Sequence, residues 1–289
     1  MHRRGSNVGS AMSAADVLAV LYAGALRLPG TTDPSRDRLV LSKGHAAAAL
    51  YAALARTGVI DPALLDDFLA DGSPLTGHPP HGTVPGIDVA TGSLGQGLAI
   101  AAGMAWAART DGRGARAFVV LGDGECQEGS VWEAAALASR LRLDNLVAIV
   151  DANGLQGYDR VADVDGGLAL APRFEAFGWA ARETDGHDHD ALRAVLEQVP
   201  FAPGRPSAII ARTVKGRGVR DMEDRLGWHY FNVSEADLPR FIAEIDGWVT
   251  PPARPSDPSS GGPRRRQRRG PRARAGRGPT GPLCGGGEP

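Results

Sequence analysis

Apolar residues arrive in two rhythms along this chain. The continuous runs Ala117-Phe118-Val119-Val120-Leu121 and Leu146-Val147-Ala148-Ile149-Val150 have no alternating polar positions, which predicts strands buried on both faces. Between them, residues 128–143 repeat apolar side chains at helical spacing through Val131, Ala134, Ala135, Leu137, Ala138 and Leu141. Strand, helix and strand in that order predict a parallel β-α-β unit with a right-handed crossover.

Similar rhythms continue on either side. Residues 13–26 and 44–57 read as alanine-rich helices, separated by the turn-rich 29–37 and a short strand at 38–42. Residues 61–69 read as a helix capped by Asp61 with Pro62 at its first position. Residues 71–97 are dense in Gly, Pro and His; they predict a long irregular stretch, too polar for the core and functional in character. A small-residue helix at 98–109 suits close packing on a sheet. Strands at 179–183 and 208–212, with a helix at 190–198 between them and a last helix at 235–245, complete the pattern. Helices alternating with strands predict an α/β fold: a doubly wound, mostly parallel sheet flanked by helices.

Composition changes this picture at the C-terminal end. Eighteen of the last 39 residues are Pro or Gly, and Leu283 is the only aliphatic side chain there larger than Ala. Too little apolar surface is available to offset ordering entropy, so the expected organisation is a domain at 1–250 and a disordered Pro/Gly/Arg-rich tail at 251–289. Nine Arg against Asp257 and Glu288 give the tail +7 and the body −8, within a net charge of −1. No aromatic residue interleaves the run from Arg264 to Arg269, so base stacking has no platform and a nucleic-acid module is not expected. The two cysteines, Cys126 and Cys284, form no disulfide framework, which fits a reducing cytoplasm. The N-terminus loosely mimics a signal peptide, with Met1-His2-Arg3-Arg4 ahead of an apolar stretch at 17–25. The same stretch fits an amphipathic helix begun by Ser13, and no apolar run approaches the ~20 residues of a membrane span. A cytoplasmic protein with no membrane partner is expected.

Candidate chemistry sits just after the two buried strands. Gly122-Asp123-Gly124-Glu125 and Asp151-Ala152-Asn153-Gly154 put Asp123 and Asn153 at the carboxyl ends of neighbouring strands, where open α/β sheets bind ligands. A carboxylate and an amide oxygen there suit a hard cation such as Mg²⁺. The helix start beside Gly124 and Gly129 offers free N–H groups to a diphosphate. Either motif alone reads as a tight turn. Together they predict a metal–diphosphate site.

These motifs, with others in a fixed order, resemble the N-terminal, diphosphate-binding part of transketolases. The matching segments are Asp37 through His45 (Asp-Arg-Leu-Val-Leu-Ser-Lys-Gly-His), Gly77-His78-Pro79, Pro85-Gly86-Ile87 and Thr91-Gly92-Ser93-Leu94-Gly95-Gln96-Gly97. Gly122 through Gly129 and Asp151 through Gln156 follow, with weaker matches at Thr213 through Gly218 and at Trp228-His229. The resemblance covers roughly residues 5–245.

It implies the thiamine diphosphate-binding fold of the diphosphate (PP) type, with thiamine diphosphate held through Mg²⁺ or another divalent cation. Asp123, Asn153 and the Leu155 carbonyl are the implied metal ligands. Gly92, Ser93, Leu94, Gly122, Asp123, Gly124, Glu125 and Asn153 are the implied cofactor contacts. His45, His78 and His229 match positions lining the substrate channel. Glu128 matches an acid in a carboxylate relay between paired active sites; its alternative is a helix first-turn acid stabilised by the macrodipole. His81, His187 and His189 fall outside the motifs; His187 and His189, in a Gly-Asp turn with no Cys or third ligand, read as solvated. The implied activity is transfer of a two-carbon ketol unit from a ketose to an aldose, on sugar or sugar-phosphate substrates.

Two departures from the family pattern matter. The glutamate that activates the cofactor's pyrimidine belongs, in transketolases, to a later domain, and here the sequence ends in the tail where that domain would begin. The expectation is therefore an N-terminal subunit of a split transketolase, inactive without a C-terminal, pyrimidine-binding subunit, in a heterotetramer of two such pairs. Second, Ser6-Asn7-Val8-Gly9 occupies the place of the family's Gly-His pair and has no histidine, through either substitution or a short deletion, and the family's first helix is largely missing from the match. That leaves a non-catalytic or decayed transketolase-like partner protein as an alternative. A thiamine-dependent 2-oxo acid dehydrogenase component shares the Gly-Asp-Gly and Asn ligands but predicts neither Leu41-Ser42-Lys43-Gly44-His45 nor Trp228-His229. 1-Deoxyxylulose-phosphate synthase shares part of the pattern but carries its pyrimidine domain in the same polypeptide.

Overall fold

Alternation along five strands decides the architecture. A computed structural model describes residues 7–167 and 169–247; the predicted tail at 251–289 lies outside the described residues. Among the described residues, β1 (Arg38–Leu41), β2 (Ala117–Gly122), β3 (Leu146–Ala152), β4 (Ala180–Asp185) and β5 (Ser207–Arg212) form one sheet ordered β1-β2-β3-β5-β4. Every pairing is parallel. Successive side chains point to opposite faces, so the continuous apolar runs feed two cores at once. Leu39, Leu41, Phe118, Val120, Val147, Ile149, Ile209 and Ala211 face one way. Val40, Val119, Leu121, Leu146, Ala148, Val150, Ala208 and Ile210 face the other.

The first face is covered by α1 (Val8–Val20), α2 (Ala47–Arg56) and α7 (His189–Leu196). The second is covered by α3 (Gly97–Thr110), α4 (Gly129–Arg140) and α6 (Leu170–Ala176). Each aliphatic side chain buried in these layers contributes roughly 1.5–3 kcal/mol, which makes the sheet a rigid base for the loops at its strand tips. The fold is the doubly wound α/β class predicted from the alternation. β4, an edge strand, is the least buried and carries Arg182 and Glu183 on its exposed positions, charges that discourage edge pairing.

Several local expectations are corrected. α1 begins at Val8, not at Ser13, because the Ser13 hydroxyl is turned inward to Asp151 Oδ2 (2.6 Å) rather than capping a helix. With its widened last turn (Leu21–Ala25), this helix is long and apolar enough by length and composition to cross a membrane, contrary to the expectation of shorter runs. Half of it is buried, and Ala14, Val17, Leu18 and Leu21 are sealed against the sheet as a core helix requires. Residues 62–67 wind as a 3-10 helix, capped by Asp61 at the Ala63 N–H (2.9 Å). Residues 71–96 are irregular as expected, yet Leu75, Val84 and Ile87 are buried and pin the stretch to the first core. On α4, Leu137 is half exposed, whereas Val131, Ala134, Ala135 and Ala138 form the buried stripe. α5 (Val161–Asp165) and α6 had no sequence signal; Pro172 in the first turn of α6 reads as a breaker, but the N–H it lacks would have no partner within the helix.

Candidate active site

The tips of β2 and β3 lie side by side, with Gly122 opposite Asp151. One residue beyond Gly122, Asp123 turns into a short 3-10 helix (Gly124–Gln127). Its Oδ1 accepts from the Gly124 N–H (2.8 Å) and its Oδ2 from the Gly154 N–H (2.5 Å), which ties the two tips together. Asn153 Oδ1 accepts from the Leu155 N–H (3.0 Å). A cavity of about 260 Å³ opens over this ground, lined by Asp123, Asn153 and Leu155 with Gly122, Gly124, Glu125 and Leu94.

The electrostatics of the tips favour a cation. Burial, reinforced by the neighbouring Asp151 carboxylate, raises Asp123 to about 6. A positive ion beside it would remove that penalty, and each of its oxygens keeps a free lone pair. Among the described residues no three His, Cys, Asp or Glu side chains cluster as a metal cage. A carboxylate, an amide oxygen and a backbone carbonyl instead suit a hard cation that shares its shell with phosphate oxygens. Two buried polar atoms on the cavity's lining residues, Ser10 Oγ and Gln156 Nε2, have no hydrogen-bond partner in the protein. Such atoms call for a polar occupant.

Beneath the tips lies a buried polar floor. Lys43, just past β1, forms an ion pair with Asp151 in which both side chains are almost fully buried. Ser13 (2.6 Å) and Thr213 also donate to Asp151. Burial works against its ionisation, but Lys43 and these hydroxyls outweigh it and hold Asp151 below the usual carboxylate range. Glu125 is a second brace. Its carboxylate accepts from Ser42, from the Gly95 N–H (2.9 Å) and from the Gly122 N–H (3.0 Å), so it fastens loops together although it lines the cavity. Gly97 completes this joint: a Cβ there would stand 2.2 Å from Ser42 Oγ, so only glycine lets α3 start this close to β1.

Imidazoles and a lysine form the opposite wall. His45 and His229 both line the cavity, with ring centroids 5.3 Å apart. Lys215 Nζ donates to His229 Nδ1 (3.1 Å), which leaves the His229 proton on Nε2. Burial, then the Lys215 and Lys43 charges, lowers His229 to about 4. Burial, then Lys43, His229, Lys215 and His78, lowers His45 to about 2. Both rings are neutral at pH 7. Lys215 is itself lowered to about 8 by burial and by Lys43. His78 is exposed and does not line the cavity; it packs over Gly92, where a Cβ at φ +139° would meet its ring at 3.0 Å. Gly92 and Ser93 are likewise exposed beside the cavity, and Leu94 reaches it. Glu128 stands exposed at the start of α4 with no side-chain capping bond.

The structure adds to the predicted set Ser10, Ser13, Lys43, Asp151, Gln156, Tyr158, Thr213 and Lys215. Asp151 had a signal, a lone carboxylate at the end of an apolar strand. Lys43 and Lys215 lay inside matched motifs but carried no mark of function. His187 and His189, read as solvated, both hydrogen-bond Asp16 at 2.7 Å. Cys126 is buried and unpaired, and Cys284 lies outside the described residues.

A parallel sheet that gathers a carboxylate, an amide, unpartnered polar groups and cationic side chains at its strand tips defines a diphosphate-binding α/β domain. The chain belongs to the transketolase family: residues 2–248 match the family described as transketolase, thiamine diphosphate binding domain. It is 39% identical over 244 residues to the 6-deoxy-6-sulfo-D-fructose transketolase subunit SqwG of Clostridium sp. (strain MSTE9), covering 83% of this chain and 88% of that one. It is 38% identical over 229 residues to an apulose-4-phosphate transketolase subunit from Phocaeicola vulgatus, covering 78% and 81%. Among solved structures, transketolase from Leishmania mexicana superposes with a TM-score of 0.71 at 28% identity, over 83% of this chain and 40% of that one. Longer curated transketolases are spanned over 36–37% of their length.

Proposed function

We propose that this chain is the N-terminal, cofactor-anchoring subunit of a transketolase, moving a two-carbon ketol unit from a ketose to an aldose. The carrying observation is the convergence on one cavity of Asp123, Asn153 and Leu155 with the His45, His229 and Lys215 wall. The match to relatives that are themselves named as subunits, over 88% and 81% of their length, supports a requirement for a separate C-terminal partner chain. That reading places two such pairs in a heterotetramer.

Asp123, Asn153 and the Leu155 carbonyl hold Mg²⁺ or a similar divalent ion in this proposal, with Ser10, Gln156 and Lys215 turned to the diphosphate. When bound, thiamine diphosphate supplies the carbanion that breaks and remakes the carbon–carbon bond. The chain's own residues orient and shield. Neutral His45 and the Nε2–H of His229 donate to sugar oxygens, and the buried sheet below keeps water from the anchored end. His78, out on the loop over Gly92, meets the substrate's far side. Such a positioned imidazole contributes about 100-fold or more to turnover. His78→Ala is therefore expected to lower turnover by about that factor while cofactor affinity stays within about twofold. Loss of cofactor binding would move His78 into the cofactor shell.

The test is reconstitution. The chain purified alone transfers no ketol group; mixed with a partner chain bearing the pyrimidine-binding domain, it converts a ketose and an aldose to the exchanged pair. Turnover by the isolated chain would overturn the division of labour. A non-catalytic partner protein, suggested by the lack of a histidine in Ser6-Asn7-Val8-Gly9, instead predicts cofactor uptake that Asp123→Ala leaves unchanged.

A further inference from the structure

The loop between β4 and α7 carries chemistry that the cofactor site does not use. Asp185 Oδ1 accepts from the His187 N–H (2.8 Å), and Asp188 caps α7 through the Asp190 and Ala191 N–H groups. Gly186 lies hard against the segment after β5: its N–H donates to the Arg212 carbonyl (2.7 Å), and a Cβ there would stand 2.4 Å from Thr213 Cγ2. From this rigid corner the His187 ring, almost fully buried, reaches two partners at once. Nδ1 lies 2.7 Å from Asp16 Oδ2 on α1, and Nε2 lies 2.8 Å from the Val214 amide nitrogen.

These two contacts fix the proton. A backbone N–H can only donate, so Nε2 must accept and the ring must be neutral there. The proton then sits on Nδ1, where the Asp16 carboxylate takes it. His189 Nε2, 2.7 Å from the other oxygen of Asp16, holds that carboxylate in place.

Val214 is the middle residue of the segment that builds one side of the cavity. Its neighbour Thr213 donates to Asp151, and its other neighbour Lys215 donates to His229 Nδ1 (3.1 Å). The backbone on either side is also tied down: Thr213 N–H to the Ala152 carbonyl (3.3 Å) and Gly216 N–H to the Gly9 carbonyl (2.9 Å). The bond to His187 fastens the backbone of this segment to a side chain, and it depends on the tautomer of that ring.

We propose that His187 is a positioning residue: in its Nδ1–H form, held by Asp16, it anchors the Val214 amide and so sets Lys215 against His229 in the wall of the active-site cavity. Its bearing on turnover rests on the transketolase reading, but its geometry does not.

The experiment uses the full chain labelled with ¹⁵N-histidine and reads ring nitrogens by NMR. The wild-type His187 is expected as the Nδ1–H tautomer. In His187→Ala, His229 loses its fixed lysine and its titration midpoint climbs from about 4 toward the ordinary imidazole value, by roughly one pH unit or more. His187→Gln, whose amide oxygen can accept from Val214 while its NH₂ faces Asp16, is expected to restore the wild-type His229 midpoint. A merely structural histidine would leave that midpoint unmoved. An Nε2–H tautomer at His187, or an unchanged His229 midpoint in a folded His187→Ala, overturns the proposal. Should His187→Ala not fold, the wild-type tautomer and the His187→Gln midpoint decide the matter. None of these readouts involves cofactor or turnover, so failure here is separable from failure of the proposed activity.

Discussion

The two walls of the cavity are built by different means. The strand-tip wall is local: Asp123, Gly124, Asn153, Gly154 and Leu155 come from two short turns, and backbone N–H groups from those same turns hold the side chains. The imidazole wall is assembled from far apart in the chain. His45 follows β1, Lys215 follows β5 and His229 sits in a late 3-10 turn (Leu226–His229), and no backbone pattern links them. A local wall resists damage elsewhere and fails only at its own residues. An assembled wall depends on whatever fixes its separate segments.

The largest expected effect tests the local wall. Asp123→Ala removes the carboxylate that the proposed function makes a direct ligand of the cation. Outer-shell partners of a metal already cost about 10–100-fold in affinity when lost, so this change is expected to weaken Mg²⁺–thiamine diphosphate binding by more than about 100-fold. Calorimetry with the isolated chain measures it, and urea unfolding checks that the fold survives. Retained binding would remove the strand tips from the site.

This contrast also explains what was legible in the sequence. The two buried strands and the Gly-Asp-Gly and Asn-Gly turns are short-range statements, and residues 117–121 and 146–150 announced their strands without help. The parallel pairing of those strands brings Asp123 and Asn153 to one cavity, and the rule that ligands meet the carboxyl ends of parallel strands made them the candidate site. Ser13 was misread because a serine ahead of an apolar run looks like a cap; only the fold brings Asp151 to its hydroxyl. Lys43, Lys215 and His187 were missed for the same reason. Their partners are 108, 14 and 27 residues away, and nothing in local composition marks them.

The second effect falls on the floor shared by both walls. Lys43→Met leaves the Asp151 carboxylate buried without its counter-charge, which costs about 3–5 kcal/mol when one partner of a buried pair is removed. Urea unfolding should show that loss, and Lys43→Met combined with Asp151→Leu should recover most of it, since an apolar pair of similar volume is often tolerated. The pH dependence has a definite sign. Asp151 is held below the usual carboxylate range, so its ionised form stabilises the fold at neutral pH. That contribution fades as pH falls through the folded-state value.

A smaller effect separates the assembled wall. His229 and His45 are lowered to about 4 and about 2, chiefly by burial and then by the nearby lysines. The unfolded chain binds protons at these histidines near pH 6.5 while the folded chain does not. Stability is therefore fully present above about pH 6.5 and declines as pH falls toward the folded values. Wild type should lose more stability between pH 7 and pH 5 than His45→Gln/His229→Gln does. Equal slopes would mean that the rings are not held neutral by their surroundings.

The smallest effect concerns Glu128, which belongs to neither wall. It stands at the junction where the short helix after Asp123 gives way to α4, exposed and without a side-chain capping bond. An acid stabilised by the dipole of α4 should cost about 0.3–1 kcal/mol when neutralised. An acid kept for contact with a second active site should cost almost nothing in the isolated chain. Glu128→Gln is expected to leave unfolding free energy and cofactor affinity of the isolated chain unchanged within about 0.3 kcal/mol, and to lower turnover of the reconstituted assembly. A measurable loss of stability with full turnover would assign Glu128 to the helix start instead. The two outcomes differ because a helix dipole acts within one chain, whereas a carboxylate relay needs the partner's groups to be present.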